Sequence, residues 1–220
     1  MVTPSNHRLM IAISGVPGSG KSSLAATMTD RINNIYNQEH PNSPKIAASI
    51  PLDGFHLTRE QLAAMPDPIY AVARRGAAFT FDPAKFLQLA QSLRQDLTPS
   101  TATVFAPSFD HAVKDPVEDD IPIPVTARVL FFEGNYLSMD KRPWNDAANL
   151  MDELWFVDVD FETARQRLIK RHVAAGIAKD EEEADKRARE NDLVNGREIV
   201  NCRMNVQEII TSKPDSSWEH

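Results

Sequence analysis

GVPGSGKS, residues 15–22, is the stretch on which the reading of this chain turns. It satisfies G-x-x-x-x-G-K-[ST] at every fixed position, and each fixed position has a mechanical reason. Gly15, Gly18 and Gly20 let the backbone curl until successive N–H groups face inward on a phosphate. A helix starting at the end of the loop adds its dipole to the same anion site. Lys21 reaches the β- and γ-phosphates, and the Ser22 hydroxyl is offered to Mg²⁺. A glycine-rich turn is the plainer alternative, but the flanks supply the context the motif requires. LMIAISG (9–15) is a nearly continuous apolar run, as in a parallel strand buried on both faces. KSSLAATMTDRINNIYNQ (21–38) has helical composition, with Leu24, Met28, Ile32 and Ile35 on one stripe. The expected nucleotide-binding residues are Gly15, Val16, Pro17, Gly18, Ser19, Gly20, Lys21, Ser22 and Ser23.

Further along, KIAASIPLD (45–53) reads as the next strand and completes a βαβ unit. TREQLAAM (58–65) carries an N-cap signature, Thr58 with Gln61 three residues on, and predicts a short helix. DPAKFLQLAQSLRQ (82–95) predicts a longer one, with Asp82 as N-cap, Pro83 in first position and Phe86, Leu89, Ala90 and Leu93 on one face. Residues 95–126 are proline-rich and irregular, which suggests loops and short edge strands. ARVLFFEG (127–134) and DELWFVDVD (152–160) read as buried strands, and FETARQRLIKRHVAAG (161–176) as a helix capped near Asp158 and Asp160. KDEEEADKRARENDLVNG (179–196) is charge-dense with little apolar periodicity and reads as a mobile, solvent-facing helix. VQEIITS (206–212) is a candidate last strand. The expectation is a single α/β domain over 1–220, a three-layer P-loop NTPase fold with a mainly parallel sheet and a helical lid at about 165–195.

Composition narrows the partners. The net charge is −7, from 24 Lys plus Arg against 31 Asp plus Glu, which argues against a general binder of nucleic acid or anionic membrane. The single cysteine, Cys202, rules out an internal disulfide and fits a reducing compartment. No run approaches the length of a transmembrane helix, and the N-terminal residues lack the pattern of a secretory signal. Cytoplasm is the default expectation.

A P-loop alone does not choose between a GTPase, a motor, an ATPase switch and a small-molecule kinase. The N-K-x-D base reader usual in guanine-specific GTPases is absent. A kinase of small alcohols needs a carboxylate placed to accept the hydroxyl proton. Asp53, in IPLDGFHL (50–57), lies where the strand after the P-loop helix runs out, and parallel strands deliver those ends to the phosphate crevice. An Asp-Gly turn is the competing reading of the same residues. Glu133, after four apolar residues in VLFFEGNY, has the form of an acid that holds Mg²⁺ directly or through water. Arg167 and Arg171 are four apart on one helix, so both can point at one anion.

Taken together, the P-loop, LDGFH, PSFDHAVKDP, VLFFEGNYL and WFVDVD…ARQRLIKRH resemble the uridine kinase, pantothenate kinase and phosphoribulokinase superfamily of P-loop kinases. The resemblance runs from about residue 8 to residue 211. It is nearest to a less characterised fungal and bacterial kinase-like branch whose members carry RRGAAFTFD and PSFDHAVKDP. It implies ATP and Mg²⁺ as cofactors and a small-molecule hydroxyl acceptor as partner. By position, it implies Asp53 as catalytic base, Glu133 near Mg²⁺, and Arg167 and Arg171 as lid arginines that join Lys21 on the transferred phosphoryl group. It also places acceptor contacts at His56, Arg75, Phe79, Phe109, Asp110 and His111, although Phe79 and Phe81 have the character of core residues. Phe55 or Phe109, with Asp110 or His111, would suit a nucleoside. Lys114 stands where uridine kinases have a base-contacting histidine, and the R-G-R lid pattern is missing, so the acceptor stays open among nucleoside-like, sugar-like and pantothenate-like alcohols. A non-kinase P-loop ATPase that keeps the fold is the alternative.

Overall fold

The computed structural model describes residues 6–213. Residues 1–5, where the reading for a secretory signal begins, lie outside the described residues. The strands are β1 (Leu9–Gly15), β2 (Ala47–Pro51), β3 (Val104–Asp110), β4 (Asp115–Ile123), β5 (Val129–Glu133), β6 (Glu153–Asp158) and β7 (Glu208–Thr211). Five of them form one sheet in the order β2-β5-β1-β6-β7, and every pairing in it is parallel. All five carboxyl ends therefore open on one edge. No helix among the described residues is long and apolar enough to cross a membrane.

The apolar strands look continuous in sequence because both faces of the sheet are covered, and the pleat sorts them. Met10 and Ala12 of β1 and Leu130 and Phe132 of β5 enter one core, while Ile11, Ile13 and Phe131 enter the other. That second core is closed by helix α1 (Lys21–Glu39), through Ala25 with Leu24, Met28 and Ile32. Ile35 is exposed, so the predicted stripe ends one turn early. The first core is closed by α4 (Pro83–Leu93), whose Phe86, Leu89, Ala90 and Leu93 face it as expected. Between them run α2 (Arg59–Ala63), with the full Thr58–Gln61 capping box, and α3 (Pro68–Ala73), which sequence periodicity did not reveal. The remaining helices are α5 (Trp144–Ala148), α6 (Phe161–Ala174), α7 (Glu181–Arg187) and α8 (Leu193–Asn201). Asp82 and Asp160 cap α4 and α6 by accepting from the Lys85 and Thr163 N–H groups.

Three expectations need correction. The strand read over 45–53 stops at Pro51, and residues Leu52–Phe55 turn as a 3₁₀ helix. The proline-rich stretch, read as loops and short edge strands, is irregular at its two ends, but its strands are longer than expected: β3 and β4, of 7 and 9 residues, pair as an antiparallel hairpin apart from the main sheet. Its prolines are tolerated because a two-stranded ribbon has free edges, and the register shifts between Ala106 and Ser108, at Pro107. The charge-dense stretch is not simply solvent-facing. Ala184, Ala188, Asn191, Leu193 and Asn195 are buried, and a π-helical turn, Ala188–Asp192, joins α7 to α8. Small and amide side chains form that inner face, so no apolar period marks it.

Candidate functional site

The loop between β1 and α1 takes the shape its glycines require. Gly18 and Gly20 have φ of +81° and +92°, a region L side chains rarely adopt. A Cβ on Gly18 would lie 2.7 Å from the Ala164 carbonyl oxygen of α6, so the loop is also tightly packed from behind. Lys21 opens α1 and its side chain is directed into a site containing charges of both signs. It lies within electrostatic reach of Glu133, Asp53, Arg171 and Asp192. Burial pushes the Lys21 ammonium below the usual lysine range, against the pull of Glu133 and Asp53.

Strand order assembles the acidic side. β5 lies between β1 and β2, and Glu133 is in register with both Ile13 and Pro51. Asp53 follows two residues beyond Pro51, so the two carboxylates stand at the ends of adjacent strands. Close backbone contacts hold the Asp53 turn in place. A Cβ on Gly54 would fall 2.1 Å from the Pro107 carbonyl oxygen of β3, and one on Gly134 would fall 2.3 Å from Leu52 Cβ. Leu52 and Phe55 are buried, while the Asp53 side chain is 53% exposed and open to a partner from solution. The Ser22 hydroxyl donates to Glu133 Oε2 at 3.0 Å. Burial raises the Glu133 carboxyl above its ordinary range, opposed by the Lys21 ammonium.

Around Asp53 lies a ring of aromatic and basic groups. The His56 ring contacts the Asp53 carbonyl at 2.9 Å through Nδ1, and it lies 3.9 Å from the Phe81 ring and 5.1 Å from that of Phe109. Phe109 also meets His111 at 5.2 Å, and the Arg75 guanidinium lies 5.4 Å from its centroid. Burial holds the His56 imidazole below the usual histidine range. Arg75 donates to the Lys114 and Leu57 carbonyls and to Asp115, tying the hairpin tip to the Asp53 turn. Asp110 accepts from the Ala112 and Val113 N–H groups and builds the tip itself. Phe55 is buried against Phe86 and faces the core. Phe81 is buried, but Phe79 is 43% exposed and stacks on Tyr70, so it is not a core residue.

The two helix arginines differ. Arg171 shares the electrostatic environment of Lys21 and Glu133. Arg167 donates to the Gly18 and Lys213 carbonyls and to Ser212 Oγ, so it joins the P-loop to the end of β7. Several residues here escaped the sequence reading. Tyr136 is buried and donates to the Gly76 carbonyl at 2.7 Å, and Asp192 pairs with the buried His172 at 2.9 Å. The amides of RENDLVNG, set in a highly charged stretch, were the available signal for Asn191 and Asn195.

A parallel sheet with this loop at the end of its central strand defines a P-loop nucleotide-binding protein. The chain belongs to the phosphoribulokinase / uridine kinase family, whose model matches residues 10–181. It is 55% identical over 159 residues to the ATP-dependent kinase-like protein notR' of Aspergillus versicolor, an alignment covering 72% of this chain and 92% of that one. The Schizosaccharomyces pombe protein "Putative uridine kinase C227.14" is 40% identical over 189 residues, covering 86% of this chain and 77% of that one. The crystal structure of YFH7 from Saccharomyces cerevisiae superposes with a TM-score of 0.81 at 26% identity, covering 96% and 94% of the two chains. The fold is thus that of the P-loop kinases, in the fungal branch the motifs resemble.

Proposed function

We propose that this chain moves the γ-phosphoryl group of ATP to a hydroxyl of a small metabolite. The observation that carries the reading is the convergence of Asp53, Glu133 and Arg171 on the charge of Lys21 at one edge of the sheet. In this reading the P-loop N–H groups and Lys21 hold the phosphates, and Asp53 accepts the hydroxyl proton as the acceptor oxygen attacks phosphorus. Lys21 and Arg171 balance charge developing on the transferred group, and most of the catalysis is positioning plus electrostatics. Arg167 acts from behind, through the Gly18 carbonyl. Ser22 and Glu133 would hold Mg²⁺, and their hydroxyl and carboxylate oxygens, 3.0 Å apart, are the hard donors such an ion takes. When bound, the ion would offset charge on the β- and γ-phosphate oxygens.

His56, Phe109, His111 and Arg75 support an acceptor with a flat or ring-shaped body, such as a nucleoside or a sugar-like alcohol. The name of the fission-yeast relative supports the nucleoside member of that pair. The test is ADP release from Mg-ATP across a panel of nucleosides, small sugars and pantothenate, with Asp53→Asn alongside. Stimulation by one class, lost in the variant, is the expected result. Flat rates unchanged by the variant would point instead to an ATPase that keeps the kinase fold.

A further inference from the structure

One helical segment touches both halves of the site. Gly196, early in α8, packs on the P-loop: a Cβ there would meet Val16 Cβ at 3.3 Å. The residue before it, and one a turn earlier, face the acceptor side. The buried Asn195 accepts from Arg74 Nη2 through Oδ1, and the buried Asn191 donates from Nδ2 to the Arg75 carbonyl at 3.0 Å. Asp192, between them, lies within electrostatic reach of Lys21 and pairs with His172, next to Arg171. The tripeptide Arg74–Gly76 is itself a junction. Its Gly76 carbonyl accepts from Tyr136, three residues after Glu133, and the Arg75 guanidinium reaches Leu57 beside the Asp53 turn and Lys114 on the hairpin. Gly76 has φ of +106°, and its N–H donates to the buried Thr80 at 2.9 Å, so the junction has a fixed shape.

The π-helical turn between α7 and α8 makes this possible. It carries Asn191, which shares one inward helix face with Asn195 four residues on, and such turns are frequent at functional sites. Two buried amides cost desolvation unless they are bonded; Asn195 Nδ2 donates to Asn191 Oδ1 at 3.5 Å, and the other bonds of the pair go to the acceptor wall.

We propose that Asn191 and Asn195 are positioning residues that couple nucleotide occupancy of the P-loop to the geometry of the acceptor wall at Arg74–Gly76. The inference rests on reading the Asp53 side as the acceptor site. Nucleotide on the P-loop contacts Val16 and Lys21, and the segment that carries Gly196 and Asp192 responds as one piece with its two amides. The acceptor wall is then ordered before the acceptor arrives, which limits transfer to water.

Two isosteric variants separate this from a structural role, because each adds one carboxylate at the same buried turn. Asn195→Asp keeps the oxygen that Arg74 needs and gives up only the long 3.5 Å bond to Asn191 Oδ1, leaving the Asn191 bond to the Arg75 carbonyl. Asn191→Asp replaces the donor with an oxygen facing the Arg75 carbonyl. The measurement is backbone hydrogen exchange over residues 74–81, with and without the Mg-bound β,γ-imido analogue of ATP, on the full chain. In the wild type and in Asn195→Asp the analogue should slow exchange there by about fivefold or more. In Asn191→Asp the analogue should still bind, with the slowing lost. No slowing in the wild type, or equal slowing in both variants, would overturn the proposal. The readout needs no acceptor, so slowing without phosphorylation of any alcohol would sink the kinase reading and leave the coupling, and the converse result would do the reverse.

Discussion

Lys21 is buried and Glu133 half-buried beside it, and loss of water works against both charges: it lowers the lysine and raises the carboxyl. Each is the other's main relief. Replacing Lys21 by Met should therefore abolish nucleotide binding in a titration with a fluorescent ATP analogue, while leaving a folded protein. The Glu133 shift also sets a pH dependence. Its proton comes off above the usual carboxylate value of about 4.3, and a protonated Glu133 cannot hold a cation. Mg-nucleotide affinity should fall as pH drops through that raised midpoint, and in Glu133→Gln the fall should shrink to the part owed to protonation of the nucleotide's own phosphates. A wild-type binding curve flat down to about pH 4.3 would contradict this assignment. At this scale much of the site was legible. The P-loop needs particular residue types at fixed spacing, so Gly18, Gly20 and Lys21 announce themselves. Asp53 and Glu133 stand out as candidates because an acid ending an apolar run is conspicuous. Asn191 and Asn195 were not, since amides within a charged helix look like solvent-facing residues until the helix is seen to bury them.

Among the elements, the 3₁₀ turn at Leu52–Phe55 is the most exacting. It is wedged between the Pro107 backbone of β3 and the chain leaving β5, and glycine at 54 and at 134 is what lets them approach. Gly54→Ala would drive a Cβ onto backbone that has no room to yield. The expected cost is about 1–3 kcal/mol of stability in urea unfolding, with a larger loss of turnover because Asp53 moves with the turn. Wild-type stability and activity in the Gly54→Ala variant would show that the hairpin is free to retreat. The hairpin was legible only as short edge strands among loops, not as a paired ribbon. Its prolines argue against strands in a broad sheet, and only its isolation as a ribbon admits them. The strands β1, β5 and β6, and the helices α4 and α6, were legible because burial pattern, caps and breakers agree there. The helix α3 was not, having six residues and mostly exposed apolar side chains.

On the scale of the molecule, strand order does what no local signal could reveal: β5 inserts between the P-loop strand and the Asp53 strand, and so brings Glu133 between them. Ligand binding should register across the whole fold, because the P-loop, α6 and the end of β7 are bonded together through Arg167. Saturating Mg-nucleotide at a hundred times its dissociation constant adds about 2.7 kcal/mol. For a chain of this size that corresponds to a melting shift of roughly 5–10 °C by calorimetry, absent in Lys21→Met. The parallel sheet and its open edge followed from the sequence; the acceptor did not, because the groups around Asp53 come from far apart in the chain. Transfer to an alcohol with Asp53 as base is the chemistry proposed for this chain. It is tested most directly by following the label of γ-labelled ATP in a mixed pool of nucleosides, sugars and other small alcohols. The wild type should deliver label to an organic phosphate ester, and Asp53→Asn should deliver it about 10²–10⁴-fold more slowly. Label recovered only as inorganic phosphate, at equal rates in both proteins, would contradict the account.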